Sequence, residues 1–74
     1  MQQQLEKIFK QSFDLDYIND AMSINNVAGW DSMAHVGLIM ALQRQFKVSI
    51  APAEAIELTD IGSIKKYLRD KGIT

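Results

Sequence analysis

The spacing of apolar residues after position 31 constrains this chain more than any other feature. Met33, Val36, Ile39, Met40, Leu42 and Phe46 recur at three- and four-residue intervals. That pattern lays an apolar stripe along a helix and does not fit the alternation of a strand. Asp31 and Ser32 stand directly before the run, and either side-chain oxygen can accept a hydrogen bond from an N–H left unpaired in the first turn. The spacing predicts a helix of roughly 15 residues, ~22 Å long at 1.5 Å per residue. A serine in its first turn faces outward, where unpaired N–H groups and the positive end of the helix dipole favour a phosphate. Asp-Ser before an apolar run is also an ordinary capping signal. The dipeptide alone therefore has two readings, a helix start and an attachment point for a phosphodiester.

The remaining segments read as helices around this one. Leu5, Ile8 and Phe9 follow an i, i+3, i+4 pattern, which predicts an amphipathic helix over residues 2–12 with a frayed, Gln-rich start. From Asp14 to Gly29 the pattern breaks. Asp14, Asp16, Asn19, Asp20, Ser23, Asn25 and Asn26 supply turn-forming side chains, and Leu15, Ile18, Met22, Ile24 and Val27 can tie this long loop across a bundle. Pro52 suits the first position of a helix, where its missing N–H would be unpaired anyway, so residues 52–57 form a short third helix. Asp60, with Thr59 competing, caps a last helix in which Ile61, Ile64 and Leu68 face inward and Lys65, Lys66, Arg69 and Lys71 face water. Gly72 is its stop. Val48 to Ile50 is the one stretch expected to be briefly extended. The fold class is all-α, a small four-helix bundle of three longer helices and one short, in a single domain spanning residues 1–74.

Composition removes several function classes. A chain of 74 residues buries only about 60% of its unfolded surface, so the core must be small. No cysteine and a single histidine leave no disulfide framework, no thiolate metal site and no histidine cluster, and no metal is expected. A net charge of −1 gives no electrostatic footprint for nucleic acid. No apolar run reaches the length of a membrane span and no secretory leader is evident, which makes a cytoplasmic monomer the expectation. The loop and Asp31 together hold Asp14, Asp16, Asp20 and Asp31 without a lysine or arginine, either a solvated face or a docking surface for a basic partner.

A longer match bears on the Asp-Ser ambiguity. The segment DSMAHVGLIMALQRQFKVSI, residues 31–50, resembles the acyl carrier proteins, whose Asp-Ser-Leu motif opens the second helix. Gly29, the Leu-Ile-Met-Ala-Leu core, Phe46 and the Val-x-Ile exit all fall in family register. The resemblance extends more weakly over the first helix, the long loop and the tail from Leu58 to Leu68. It implies a bundle without catalysis of its own that carries 4′-phosphopantetheine on Ser32, donated from coenzyme A by a phosphopantetheinyl transferase that also recognises Asp31. It further implies acyl-loading and acyl-processing enzymes as partners and a thioester on the arm's thiol. The family's fatty-acid members present an acidic second helix, D-S-L-D-x-V-E-L-V-M-A-L-E-E-E-F in outline. Here the matching positions are Ala34, Gly37, Gln43, Arg44 and Gln45, which points to a specialised lipid, polyketide or polysaccharide-modification pathway. An aminoacyl, D-alanyl or peptidyl cargo is the alternative within the class, and a helical interaction domain without a prosthetic group is the alternative outside it.

Four further residues are candidate partner contacts. Trp30 precedes the motif on a loop, and Met33 and Met40 combine a core-facing side with an adaptable thioether. His35 lies one turn from Ser32, within reach on a helix. A serine-histidine hydrolase would also need an orienting group, oxyanion donors and a water-free cleft, for which so small a bundle has little room.

Overall fold

The computed structural model describes residues 1–73. It has helices α1 (Gln2–Phe13), α2 (Ser32–Phe46), α3 (Pro52–Glu57) and α4 (Ile61–Asp70), a helical bundle as the spacing predicts. α1 begins at Gln2 without a side-chain cap, and Leu5 N–H bonds to Met1 O at 3.0 Å. No strand forms among the described residues, and the stretch from Val48 to Ile50, outside any helix, brings Ile50 into the core. No helix among them is long and apolar enough to cross a membrane.

One core joins the three longer helices. Leu5 and Phe9 from α1, Leu38 and Leu42 from α2, and Ile61, Ile64 and Leu68 from α4 are sealed from solvent. The α2 register differs from the expected one. Ile39, Leu42 and Phe46 face inward with Leu38, whereas Met33, Val36 and Met40 are exposed. The helix bears two apolar stripes, and the periodicity of one stripe cannot say which faces α1 and α4.

Local chemistry sets the helix ends. Asp31 caps α2 and Asp60 caps α4, each carboxylate accepting an N–H three residues on at 2.8 Å. Pro52 opens α3, where the Glu54 carboxylate accepts Ala51 N–H at 2.9 Å. Gly72 adopts φ +86°, and its N–H bonds to Arg69 O while Ile73 N–H bonds to Leu68 O. This paired C-terminal closure needs a left-handed residue, which glycine supplies without a Cβ clash.

The long loop is fastened at its middle. Ser23 and Asp60 form an isolated antiparallel bridge, with Ile24 N–H to Thr59 O at 2.9 Å and Ile61 N–H to Met22 O at 3.0 Å. Ile18 and Val27 enter the core. Lys65, expected to face water, instead lies over this loop. Its side chain is 14% exposed and its Nζ stands 2.9 Å from Asp20, because the loop folds back over α4. A Cβ on Gly62 would meet Asp20 O at 3.4 Å, so the small residue permits that approach.

Candidate functional site

The turn into α2 is built around Trp30. Gly29 takes φ +84°, and the reversal drives the indole inward, where it is 3% exposed. It packs edge-on against Phe9 and stacks on Phe13, with centroids 5.4 and 5.5 Å away. Trp30 is therefore a core anchor and does not present the partner contact expected of it. Its position was unreadable locally, because the rings that bury it lie on the first helix.

With Trp30 fixed, the next two residues divide between structure and exposure. Asp31 is extended, and its carboxylate accepts Ala34 N–H at 2.8 Å. Ser32 is the first helical residue and is exposed. Its hydroxyl takes no hydrogen bond among the described residues, because the capping position belongs to Asp31. The outcome is a solvent-facing hydroxyl at the positive end of a 15-residue helix, a setting that favours a phosphate ester.

His35 does not serve Ser32. Trp30 Nε1–H donates to its Nδ1 at 3.0 Å, and its Nε2 lies 2.8 Å from Ala55 O. An indole nitrogen only donates and a carbonyl only accepts, so the ring proton sits on Nε2 and no ring nitrogen is left to take the serine proton. The imidazole is half-buried and stacks on Trp30 at 6.1 Å. It ties the turn before Ser32 to α3, so the fold itself holds the ring in place.

Between α2 and α3 lies an apolar groove of about 380 Å³, walled by Val36, Ile39 and Met40 on one side and Ile50, Ala55 and Ile56 on the other. Met33 and Met40, expected to turn mostly toward the core, are 86% and 54% exposed, while Val36 is 61% and Ile56 73% exposed. Sequence reasoning missed Val36 and Ile56 as surface groups. Positions 33, 36 and 40 form their own i, i+3, i+7 stripe, and that spacing was the available signal. The loop carboxylates offer less than their count suggested, since Asp16 lies 3.4 Å from Lys10 and Asp20 pairs with Lys65.

A polar clasp holds α3 to α4. Tyr67 Oη lies 3.0 Å from Glu54 Oε1 and 3.3 Å from Ser49 O. The Ala51 N–H, then the Tyr67 hydroxyl, hold the Glu54 carboxyl below its ordinary 4.5. Burial, then Glu54, pushes the Tyr67 phenol above its ordinary 10.0. A lowered carboxyl stabilises above its unfolded value and loses that effect as pH falls through its folded value. A raised phenol stabilises below its unfolded value and loses that effect as pH rises through its folded value. The clasp is thus expected to hold fully between pH 4.5 and 10.0. Unfolding midpoints of Glu54→Gln and the parent should differ within that window and converge as pH falls below it. A gap that persists unchanged into acid would contradict the assignment.

A family model described as phosphopantetheine attachment site matches residues 3–68. The match takes in α1 from Gln3 onward, the long loop, all of α2 and α3, and α4 as far as Leu68.

Proposed function

The chain belongs to the phosphopantetheine attachment-site family, and from that premise we propose that Ser32 carries the arm and that residues 1–74 act as one carrier domain for an acyl group. Carriers of this family bear 4′-phosphopantetheine covalently, are generally non-catalytic, and work with transferases and acyl-processing enzymes. The observation that supports Ser32 is the division of labour at the helix start, where Asp31 caps and the serine hydroxyl stays exposed and unbonded. Esterification forms a bond from Ser32 Oγ to phosphorus and releases the nucleotide half of coenzyme A. The departing serine proton needs a base on the transferase, because both His35 ring nitrogens are engaged. Once bound, the arm supplies the thiol that a chain without cysteine lacks. Incubation with coenzyme A and a broad-specificity phosphopantetheinyl transferase should add one phosphopantetheine, read by intact mass and located on Ser32. An unchanged mass, where a control carrier is modified, would favour a helical interaction domain.

The pathway we infer is a specialised one, because α2 contains no carboxylate. Enzymes that read an acidic helix lose ~0.2–1 kcal/mol for each missing exposed ion pair. Gly37 and Gln45 are suitable places to restore charge. A Cβ on Gly37 meets nothing within 4 Å and Gln45 is exposed, whereas the Gln43 side chain accepts Ile50 N–H at 3.0 Å and is best left alone. Gly37→Glu with Gln45→Glu should improve turnover by a housekeeping malonyl transferase and ketosynthase about 2- to 30-fold, two pairs at 1.4 kcal/mol per decade. Parent activity already equal to that of the double variant would remove the case for a specialised pathway.

A further inference from the structure

One imidazole joins three parts of the chain. His35 on α2 accepts Trp30 Nε1–H through Nδ1 at 3.0 Å and donates to Ala55 O on α3 through Nε2 at 2.8 Å. Only the neutral ring can make both bonds, because a protonated Nδ1 sets its own hydrogen against that of the indole. The indole has no room to give way. It is sealed in the core against Phe9 and Phe13, and its nitrogen is a donor only. The imidazole is half-buried and ends the conflict by turning, which carries its Nε2 away from Ala55 O. Breaking one bond thus breaks the other.

Nothing around the ring compensates a positive charge. The groove it borders is otherwise lined by apolar side chains and Ala55. Asp31, one turn earlier on α2, is bonded to Ala34 N–H, and Glu54 on α3 to Ala51 N–H and Tyr67. Glu57 lines a separate cavity with Lys66, Tyr67 and Asp70, and α1 meets the indole with Phe9 and Phe13 alone. Among the described residues no carboxylate forms an ion pair with His35. The bond to Ala55 O matters to α3 because that helix buries none of its side chains fully. Its tie to α4, Tyr67 to Glu54, is expected to hold from pH 4.5 to 10.0, whereas histidine is the side chain that changes charge between pH 5 and 8.

We propose that His35 is a proton-operated latch on α3, closed when the ring is neutral and released when it is charged. A proton that binds the open state better than the closed one favours opening as pH falls. The wall of the groove that α3 forms then moves out, while the buried indole keeps the turn before Ser32 in place. The latch belongs to the bare chain, so it does not depend on what Ser32 carries.

The test is amide exchange of the apo protein by NMR, expressed as protection relative to an unstructured chain at the same pH. Protection of the Ala55 and Leu58 N–H groups, which bond to Ala51 O and Ala55 O, should fall about 10-fold between pH 8 and 5, the worth of one hydrogen bond. Protection of Leu38 and Leu42 in α2 should stay level. His35→Gln keeps a donor and an acceptor on an amide that does not titrate, and should flatten the α3 profile. Trp30→Phe keeps the histidine and removes the opposing hydrogen, so it should flatten the profile too and decides the matter should His35→Gln fail to fold. The ring nitrogen shifts of the parent at pH 8 should report the Nε2–H tautomer. A level profile in the parent, a parent-like fall in a folded variant, an equal fall throughout α2, or the Nδ1–H tautomer would each overturn the proposal.

Discussion

Ser32→Ala is expected to abolish phosphopantetheine incorporation completely while the bundle keeps its cooperative unfolding. The Asp31 carboxylate caps α2 and the Ser32 hydroxyl takes no part in the fold. Removing that oxygen leaves every described hydrogen bond in place. Losing a side-chain cap costs ~0.5–2 kcal/mol, and here the cap stays. Alanine is also the best helix former, so the change in stability should be below ~1 kcal/mol. Asp31→Ala supplies the contrast, since it deletes the cap and should lower stability by about 1 kcal/mol while leaving the nucleophile present. Intact mass reads incorporation and urea unfolding reads stability. Residual incorporation in Ser32→Ala would move the attachment site elsewhere, and loss of cooperative unfolding would give Ser32 a structural role.

Trp30→Ala is expected to be the most destabilising single change near the site. The indole is 3% exposed and contacts Phe9, Phe13 and His35. Truncating a buried aromatic to alanine costs ~3–5 kcal/mol, lost transfer energy plus the cavity left behind. The variant also leaves His35 Nδ1 without its donor, an added penalty for a half-buried acceptor. A domain of 74 residues is stable by roughly 4–11 kcal/mol at ~0.05–0.15 kcal/mol per residue. The loss therefore takes from about a quarter of that margin to more than all of it. Trp30→Phe gives an intermediate case, because it keeps one aromatic ring and drops the five-membered ring with its N–H, so its loss should exceed the ~0.5–1.5 kcal/mol of the hydrogen bond alone and stay below that of Trp30→Ala. Urea unfolding of both variants is the measurement. A Trp30→Ala midpoint close to that of the parent would mean the indole is not the anchor of the turn.

The helices were legible in the sequence because their ends are local events. Asp31, Pro52, Asp60 and Gly72 each act on backbone groups within a few residues, so their consequences can be read without knowing the fold. The side-chain roles near the serine were not local. Trp30 is buried by Phe9 and Phe13 from α1, and His35 bonds to a carbonyl 20 positions away. Lys65 is engaged by Asp20 from the folded-back loop. The α2 helix poses a different difficulty, since both Leu38-Leu42-Phe46 and Met33-Val36-Met40 satisfy helical spacing. Only packing against α1 and α4 decides that the first set is inside. Ser32 itself was readable because its exposure follows from where the cap falls.

The short helix α3 buries none of its side chains fully. It is held by the His35 bond to Ala55 O, the Tyr67 bond to Glu54 and the turn that Glu54 closes on Ala51, while α1, α2 and α4 share one sealed core. Segments with few buried apolar contacts open with free energies far below that of global unfolding. On that ground α3 is expected to open at a lower free energy than the frame that holds the serine's helix, with faster amide exchange as the readout. Such an opening would shift one wall of the groove and leave the Ser32 hydroxyl, on the helix that the sealed core holds, where it is.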